Sequence, residues 1–276
     1  MVTKTKKLST MIRLTPSVYF NPREAGASNN GIIERNNDVV FVDTSERLKK
    51  TEQDLEFLSS KIGKPVRFLI NTHYHVDHTF GNQLFACDII ASYKTPEMFR
   101  QNETDLLKWL ETEKDKEILE NISRVKITYP NVLVKDKLRL DDSTPLVELT
   151  HLGGHTPDSL VVHVPEEQVI FTGDLIFQGS HPFLVGSNID EWINALEWLR
   201  KCGAKLFLPG HGNACGVAEV LSMREYLSKF KTSLKSLKSR GFSAKEIADD
   251  PNLLRLPALD KPQRVQRNIL DQYDKV

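Results

Sequence analysis

Cysteine is scarce: Cys87, Cys202 and Cys215 are the only three in 276 residues. An odd number at such wide spacing builds neither a disulfide framework nor a CxxC thiolate site, so reduced thiols and a cytoplasmic protein are expected. Nowhere does an apolar run reach the roughly 18–20 residues that a bilayer-spanning helix needs. The basic start, Met1 to Thr10, leads into no apolar segment of secretory length. No membrane association is therefore expected. Charge of one sign is not in excess either, since Lys plus Arg and Asp plus Glu both number 37. A chain of zero formal net charge has no global field to draw in nucleic acid, and a small-molecule substrate is the expected partner. Internal repeats and low-complexity tracts are also missing.

What is present is the composition of an ordinary globular protein, 39% hydrophobic and 27% charged. Short β-rich runs occupy residues 12 to 41, and the Asn36-Asn37-Asp38 step before Val39-Val-Phe-Val marks a hairpin turn. Leu48, Leu55, Leu58 and Ile62 recur at helical spacing within 44–62, and Val66–Ile70 reads as a buried strand. A strand at 88–92 precedes a polar, helix-favouring stretch at 95–123, whose Trp109 is a candidate lid. Strands return from 131 to 176. Then come a helix at 190–202 with Trp192 and Trp198, a strand from Lys205, and a long helix at 217–238. A capped helix over 243–248 and a last one over 261–273 close the chain. Alternation of this kind predicts the α/β class, with residues 1–241 as one catalytic domain and 242–276 as a C-terminal helical extension.

The densest chemistry is Asn71-Thr-His73-Tyr-His75-Val-Asp77-His78, four possible metal ligands within six residues directly after an apolar strand. Extended backbone would turn His73, His75 and Asp77 to one side, and a turn at Asp77 would aim His78 elsewhere. Three more candidates stand in glycine-flanked turns: His155 after Gly153-Gly154, Asp174 after Thr172-Gly173, and His211 between Pro209-Gly210 and Gly212. Glycine permits the tight backbone that holds a ligand at the mouth of a sheet. A single histidine in such a turn is ordinarily a solvated or capping residue. Five of the eight histidines in one pattern are not explained that way. Imidazole and carboxylate donors without thiolate suit Zn²⁺ first, with Fe²⁺ and Mn²⁺ compatible. His151 and His163 are read as structural.

Taken in order, the His-x-His-x-Asp-His run, Gly-Gly-His, Thr-Gly-Asp and Pro-Gly-His resemble the metal motifs of the metallo-β-lactamase superfamily over about residues 12–215. Phe41-Val-Asp43-Thr44 looks like that family's early strand and acidic turn. The resemblance implies a four-layer αβ/βα sandwich with the site along one edge. It implies two Zn²⁺ per chain, one held by His73, His75 and His155, the other by Asp77, His78 and His211, with Asp174 bridging. In that family two metals about 3.5–4 Å apart share a water that becomes a hydroxide nucleophile near neutral pH. Asp77 would then orient the hydroxide and handle its proton. Phe177, His181 and Phe183, on the loop after Asp174, are candidate substrate-binding residues.

Departures narrow the expectation to a hydrolase of an ester, lactone, thioester or β-lactam amide. One lactamase subclass uses a cysteine near Thr172–Asp174, where this chain has none. Glyoxalase II carries a Gly-His-Glu-Tyr run and a basic glutathione-binding tail, unlike Gly210-His211-Gly212-Asn213. Acyl-homoserine lactonases have a tyrosine where Phe177 stands, and flavodiiron proteins a glutamate where His75 stands. The short interval from Asp174 to His211 leaves no room for the inserted domain of β-CASP nucleases, and a transfer-RNA nuclease would need a basic groove. A mononuclear iron persulfide dioxygenase and a metal-stabilised binding protein without turnover are the alternatives. The complete ligand set and Asp77 favour the hydrolase.

Overall fold

The computed structural model describes residues 10–23, 27–102 and 126–276; Trp109 lies outside them. Two sheets face each other. Strands β1 (Ile12–Arg13), β2 (Val18–Asn21), β3 (Asn30–Glu34), β4 (Val39–Val42), β5 (Val66–Ile70), β6 (Asp88–Ser92) and β7 (Val132–Val134) form the first, in that order. Its β1–β4 half is antiparallel, with the expected hairpin at β3–β4, and its β4–β7 half is parallel. The second sheet runs β12-β11-β10-β9-β8, built from β8 (Lys137–Leu140), β9 (Val147–His151), β10 (Leu160–Val164), β11 (Val169–Phe177) and β12 (Leu206–His211).

Strand alternation explains the layering. In β10, Leu160, Val162 and Val164 point between the sheets, where they meet Val18, Ile33, Val40 and Ile70 of the first sheet. Val161 points the other way, into the core under α3 (Ile189–Lys201) and α4 (Val217–Ser239). A strand buried on both faces has to be apolar at every position but one, and Leu160-Val-Val-His-Val is. On the far side α1 (Leu48–Phe57), continued by a π-helical turn at Leu58–Ile62, covers Ile32, Phe41 and Leu69. The order is helix, sheet, sheet, helix: the expected four-layer α/β sandwich. No helix of the described residues is long and apolar enough to cross a membrane.

Past Gly241 come α5 (Ala244–Asp249), started by a Ser243–Glu246 capping box, and α6 (Gln263–Gln272). Ile247, Leu254, Val265 and Ile269 of this segment are buried in the same apolar cluster as α3 and α4. The buried Asn268 side chain receives the Leu184 N–H and donates to the Pro182 carbonyl, both at 2.8 Å, and Gln272 donates to the Leu184 carbonyl at 2.8 Å. These bonds hold the loop between β11 and α3 in place, and that loop lies over the site.

Candidate metal centre

All seven candidate ligands collect at one edge of the sandwich, on strands or on the segments that leave them. Parallel β4 and β5 end side by side, with Val42 opposite Ile70. Asp43, at φ 57°, turns out of the first, and residues 71–75 leave the second. Here the structure departs from the expected extended run: the chain bends at residues 72–74, and Asp77 and His78 sit on a short helix, α2 (Val76–Thr79). Its His78 carbonyl accepts from Thr44 N at 2.9 Å and from Asn71 Nδ2 at 3.2 Å, so the bend is pinned to both strand ends. From the second sheet, the β9–β10 connection carries His155, β11 carries Asp174 at a register irregularity, and β12 ends in His211.

The donor atoms form two sets that could each hold a metal ion: His73, His75, His155 and Asp174, and Asp77, His78 and His211. Within the first, His75 Nδ1 lies 3.0 Å from His73 Nε2 and 3.1 Å from His155 Nε2. In the second, His211 Nε2 is 3.2 Å and His78 Nε2 is 3.7 Å from Asp77 Oδ2. Asp174 reaches both: Oδ2 is 3.5 Å from His155 Nε2 and 3.4 Å from His211 Nε2, and Oδ1 is 3.3 Å from His78 Nε2.

Protons are the test of what fits there. His155 Nδ1 donates to the Phe183 carbonyl at 3.1 Å, His211 Nδ1 to the Ala27 carbonyl at 3.2 Å, and His78 Nδ1 to Asp43 Oδ2 at 2.8 Å. Thr72 Oγ1 gives its own proton to Asp43 and so accepts from His73 Nδ1. Four rings thus spend their Nδ1 protons on outside acceptors and turn Nε2 lone pairs inward. Lone pairs crowded at about 3 Å repel unless a cation lies among them, and partners of this kind fix the tautomer of a metal-bound imidazole. His78 Nε2 and Asp174 Oδ1 are buried with no hydrogen-bond partner at all. The residues fit a metal.

For the first donor set the electrostatics agree. Burial lowers His73, His75 and His155, the last to about 3, which keeps these rings neutral and able to ligate. Burial acts to lower His211 too, but the Asp174 and Asp77 carboxylates outweigh it and carry it up to about 9. His78 is raised by Asp77, Asp43 and Asp174 against the same burial. Asp77 and Asp174 are held below the usual carboxylate range because His78 and His211 overcome their own burial. The Asp77 side chain is 26% exposed against 4% for Asp174.

Of the three substrate-pocket candidates, two lie against this centre. Phe177 stacks on His211 with centroids 5.3 Å apart and meets His155 edge-on at 5.7 Å, and Phe183 lies 6.3 Å from the His75 ring. His181 turns away, its Nδ1 2.8 Å from the Tyr226 hydroxyl of α4. Sequence reading assigned Asp43 only to an acidic turn and passed over Thr72; the structure makes the pair the anchor of His73 and His78. Gly210 needs its missing side chain, since a Cβ there would stand 1.9 Å from Asp174 Oδ1 and 3.0 Å from His78 Cε1.

Two facing sheets carry paired histidine–aspartate donor sets at their edge, the arrangement of a candidate dinuclear metal centre. The family model of the metallo-beta-lactamase superfamily matches residues 23–211, well over half of the chain. The chain belongs to that superfamily. Among curated relatives, the human acyl-coenzyme A thioesterase MBLAC2 is 24% identical over 191 residues, covering 64% of this chain and 67% of that one. The match to its bovine counterpart covers 61% of that protein, so the similarity spans about two thirds or less of these relatives' length. The type 2 metallo-beta-lactamase of Bacillus cereus is 28% identical over 200 residues, 70% of each chain. The solved metallo-beta-lactamase from Pontibacter korlensis superposes with a TM-score of 0.65 at 19% identity, over 79% of this chain and 98% of that one.

Proposed function

We propose that this enzyme is a dinuclear, zinc-dependent hydrolase of carbonyl substrates, with thioesters ahead of esters, lactones and β-lactams. His73, His75 and His155 would hold one metal, Asp77, His78 and His211 the other, and Asp174 would serve both. The observation that carries this is the Asp174 carboxylate, which faces both donor sets at 3.3–3.5 Å. Metal ions held in the two sets would supply Lewis acidity toward a carbonyl oxygen and would lower the pKa of a water toward ~7. Asp77 is the residue placed to orient the attacking water: it is ionised, partly exposed and lies at the edge of both donor sets. Phe177 and Phe183 exclude solvent from the histidine rings. The thioester preference follows the MBLAC2 relatives, which carry that activity in their name.

A full second donor set weighs against the mononuclear iron dioxygenase, which would leave Asp77, His78 and His211 without a role. The exposure of Asp77 weighs against a binding protein without turnover. Elemental analysis beside hydrolysis of thioester, lactone and β-lactam panels tests the reading. Two zinc equivalents per chain, with turnover reduced at least ~100-fold in Asp77→Asn, are expected; one iron equivalent with oxygen uptake overturns it.

A further inference from the structure

Beside His211 the fold leaves a cavity of about 230 Å³ walled by Arg23, Lys261 and Arg264, with Gln178–Ser180 and Asp260. The cations come from distant parts of the chain: Arg23 follows β2, and Lys261 and Arg264 stand at the entry to α6. Among the described residues all three are short of acceptors. The Arg23 side chain is 6% exposed and pairs with Asp54 through Nη2, but its Nε and Nη1 are buried without a hydrogen-bond partner. The Arg264 guanidinium carbon lies 5.2 Å from the centroid of the Phe177 ring, and its Nη1 donates to the His181 carbonyl at 2.9 Å. Among the described residues no carboxylate pairs with Arg264 or with Lys261, the cavity's own Asp260 included. Lys261 also holds φ 61°, a conformation that side-chain-bearing residues avoid and that gathers at ligand clamps.

The metal-site carboxylates Asp174 and Asp77 act on Arg264 only at a distance, with no direct ion pair to it among the described residues. Asp77 and Asp174 already face His78 and His211 at 3.2–3.7 Å and would share the metals. Buried guanidinium donors without acceptors are destabilising by themselves, and the group that satisfies them best is an oxyanion, which accepts several charge-assisted hydrogen bonds at once. A second cavity of about 410 Å³ shares Gln178, Gly179 and Ser180 with the first and continues between α4 and residues 255–259, so a substrate longer than its anionic group has room to extend.

We propose that this cavity is an oxyanion subsite, in which Arg23, Lys261 and Arg264 hold a carboxylate or phosphate of the substrate while its carbonyl lies at Asp77. The assignment rests on the hydrolase reading above and narrows it to anionic substrates. It also gives the C-terminal segment a role in specificity, since two of the three cations belong to it.

Two matched thioester pairs test this on the zinc-loaded protein: S-acetylpantetheine against its 4′-phosphate, and the methyl ester of S-acetyl-3-mercaptopropionate against the free acid. The anionic member of at least one pair is expected to show about tenfold higher kcat/KM, the effect of one well-formed charged contact. Which pair shows it separates phosphate from carboxylate. The preference collapses in Lys261→Gln and in Arg264→Gln, and persists in Lys245→Gln, which removes the same charge from exposed α5. Equal kcat/KM within both pairs overturns the subsite and leaves the hydrolase standing. If neither pair is turned over, the thioester reading fails, and calorimetric titration with the thioether analogues S-ethylphosphopantetheine and 3-(ethylthio)propionate judges the subsite alone. Binding that weakens about tenfold in Lys261→Gln supports it; absent or unchanged binding overturns it.

Discussion

Asp43 Oδ2 accepts the Nδ1 proton of His78 across 2.8 Å, tying the turn after β4 to the helix that carries Asp77. The same carboxylate receives Thr72 N at 2.7 Å and Thr72 Oγ1 at 2.6 Å, and Thr72 in turn orients His73. One aspartate that faces no metal donor directly thus sets the tautomer of a histidine in each donor set.

Asp43→Asn puts an amide N–H against at least one of those donors. Metal affinity is expected to fall 10- to 100-fold, the usual cost of losing a ligand's supporting carboxylate. Competitive chelator titration measures it, with far-UV circular dichroism to check the fold. Wild-type affinity in the variant would reduce Asp43 to a backbone anchor.

Gly210→Ala inserts a methyl group at 1.9 Å from Asp174 Oδ1 and 2.9 Å from the Gly173 carbonyl carbon. The backbone contact cannot be relieved by a rotamer change, so Asp174 is displaced. Because Asp174 faces both donor sets, elemental analysis is expected to show metal lost from both. Retention of the full complement would contradict the shared role of Asp174.

Removing metal with a chelator leaves inward lone pairs and carboxylates uncompensated. The melting temperature is expected to drop and to recover on adding zinc, since a ligand that binds only the folded state stabilises it by mass action. Differential scanning calorimetry with and without the chelator reads this, and identical melts would argue that the metal centre adds nothing to the fold.

Burial pushes the Asp158 carboxyl up from 3.8 to about 6, while Thr95 donates to it at 2.7 Å. A group whose folded pKa is raised contributes stability below its unfolded pKa and loses it as pH rises through the folded value. Between pH 5 and pH 8 the wild type is therefore expected to lose about 1 kcal/mol relative to Asp158→Asn, which keeps the Thr95 bond and cannot ionise. Urea unfolding of both proteins at the two pH values decides, and parallel losses would remove Asp158 as the source.

All three thiols are raised by burial, Cys215 up to about 12. At pH 8 its thiolate fraction is about one part in ten thousand, and the thiolate is the reactive form. Iodoacetamide is expected to label the native protein slowly and to label three sites per chain after denaturation. Rapid native labelling of Cys215 would show that its surroundings open in solution.

What could be read from the chain alone is what local pattern encodes. The His73-x-His75-x-Asp77-His78 run, the glycine-flanked His155, Asp174 and His211, and the alternation of apolar strands with helices determine the superfamily, the four-layer class and the donor inventory. Donor type and spacing are properties of neighbours in sequence. Even there local reasoning misplaced the backbone: an alternating extended run was expected where bends and α2 occur, because Thr44 and Asn71 pull the His78 carbonyl back onto the strand ends. Which nitrogen His78, His155 and His211 present was decided by acceptors 28 to 184 residues away along the chain, Asp43 and the Phe183 and Ala27 carbonyls. The meeting of Arg23 with Lys261 and Arg264 beside His211 was likewise decided only when the C-terminal helices packed into the α3–α4 core. Hydrogen-bond direction and charge clustering depend on atoms brought together in space, and nothing in the local sequence records them.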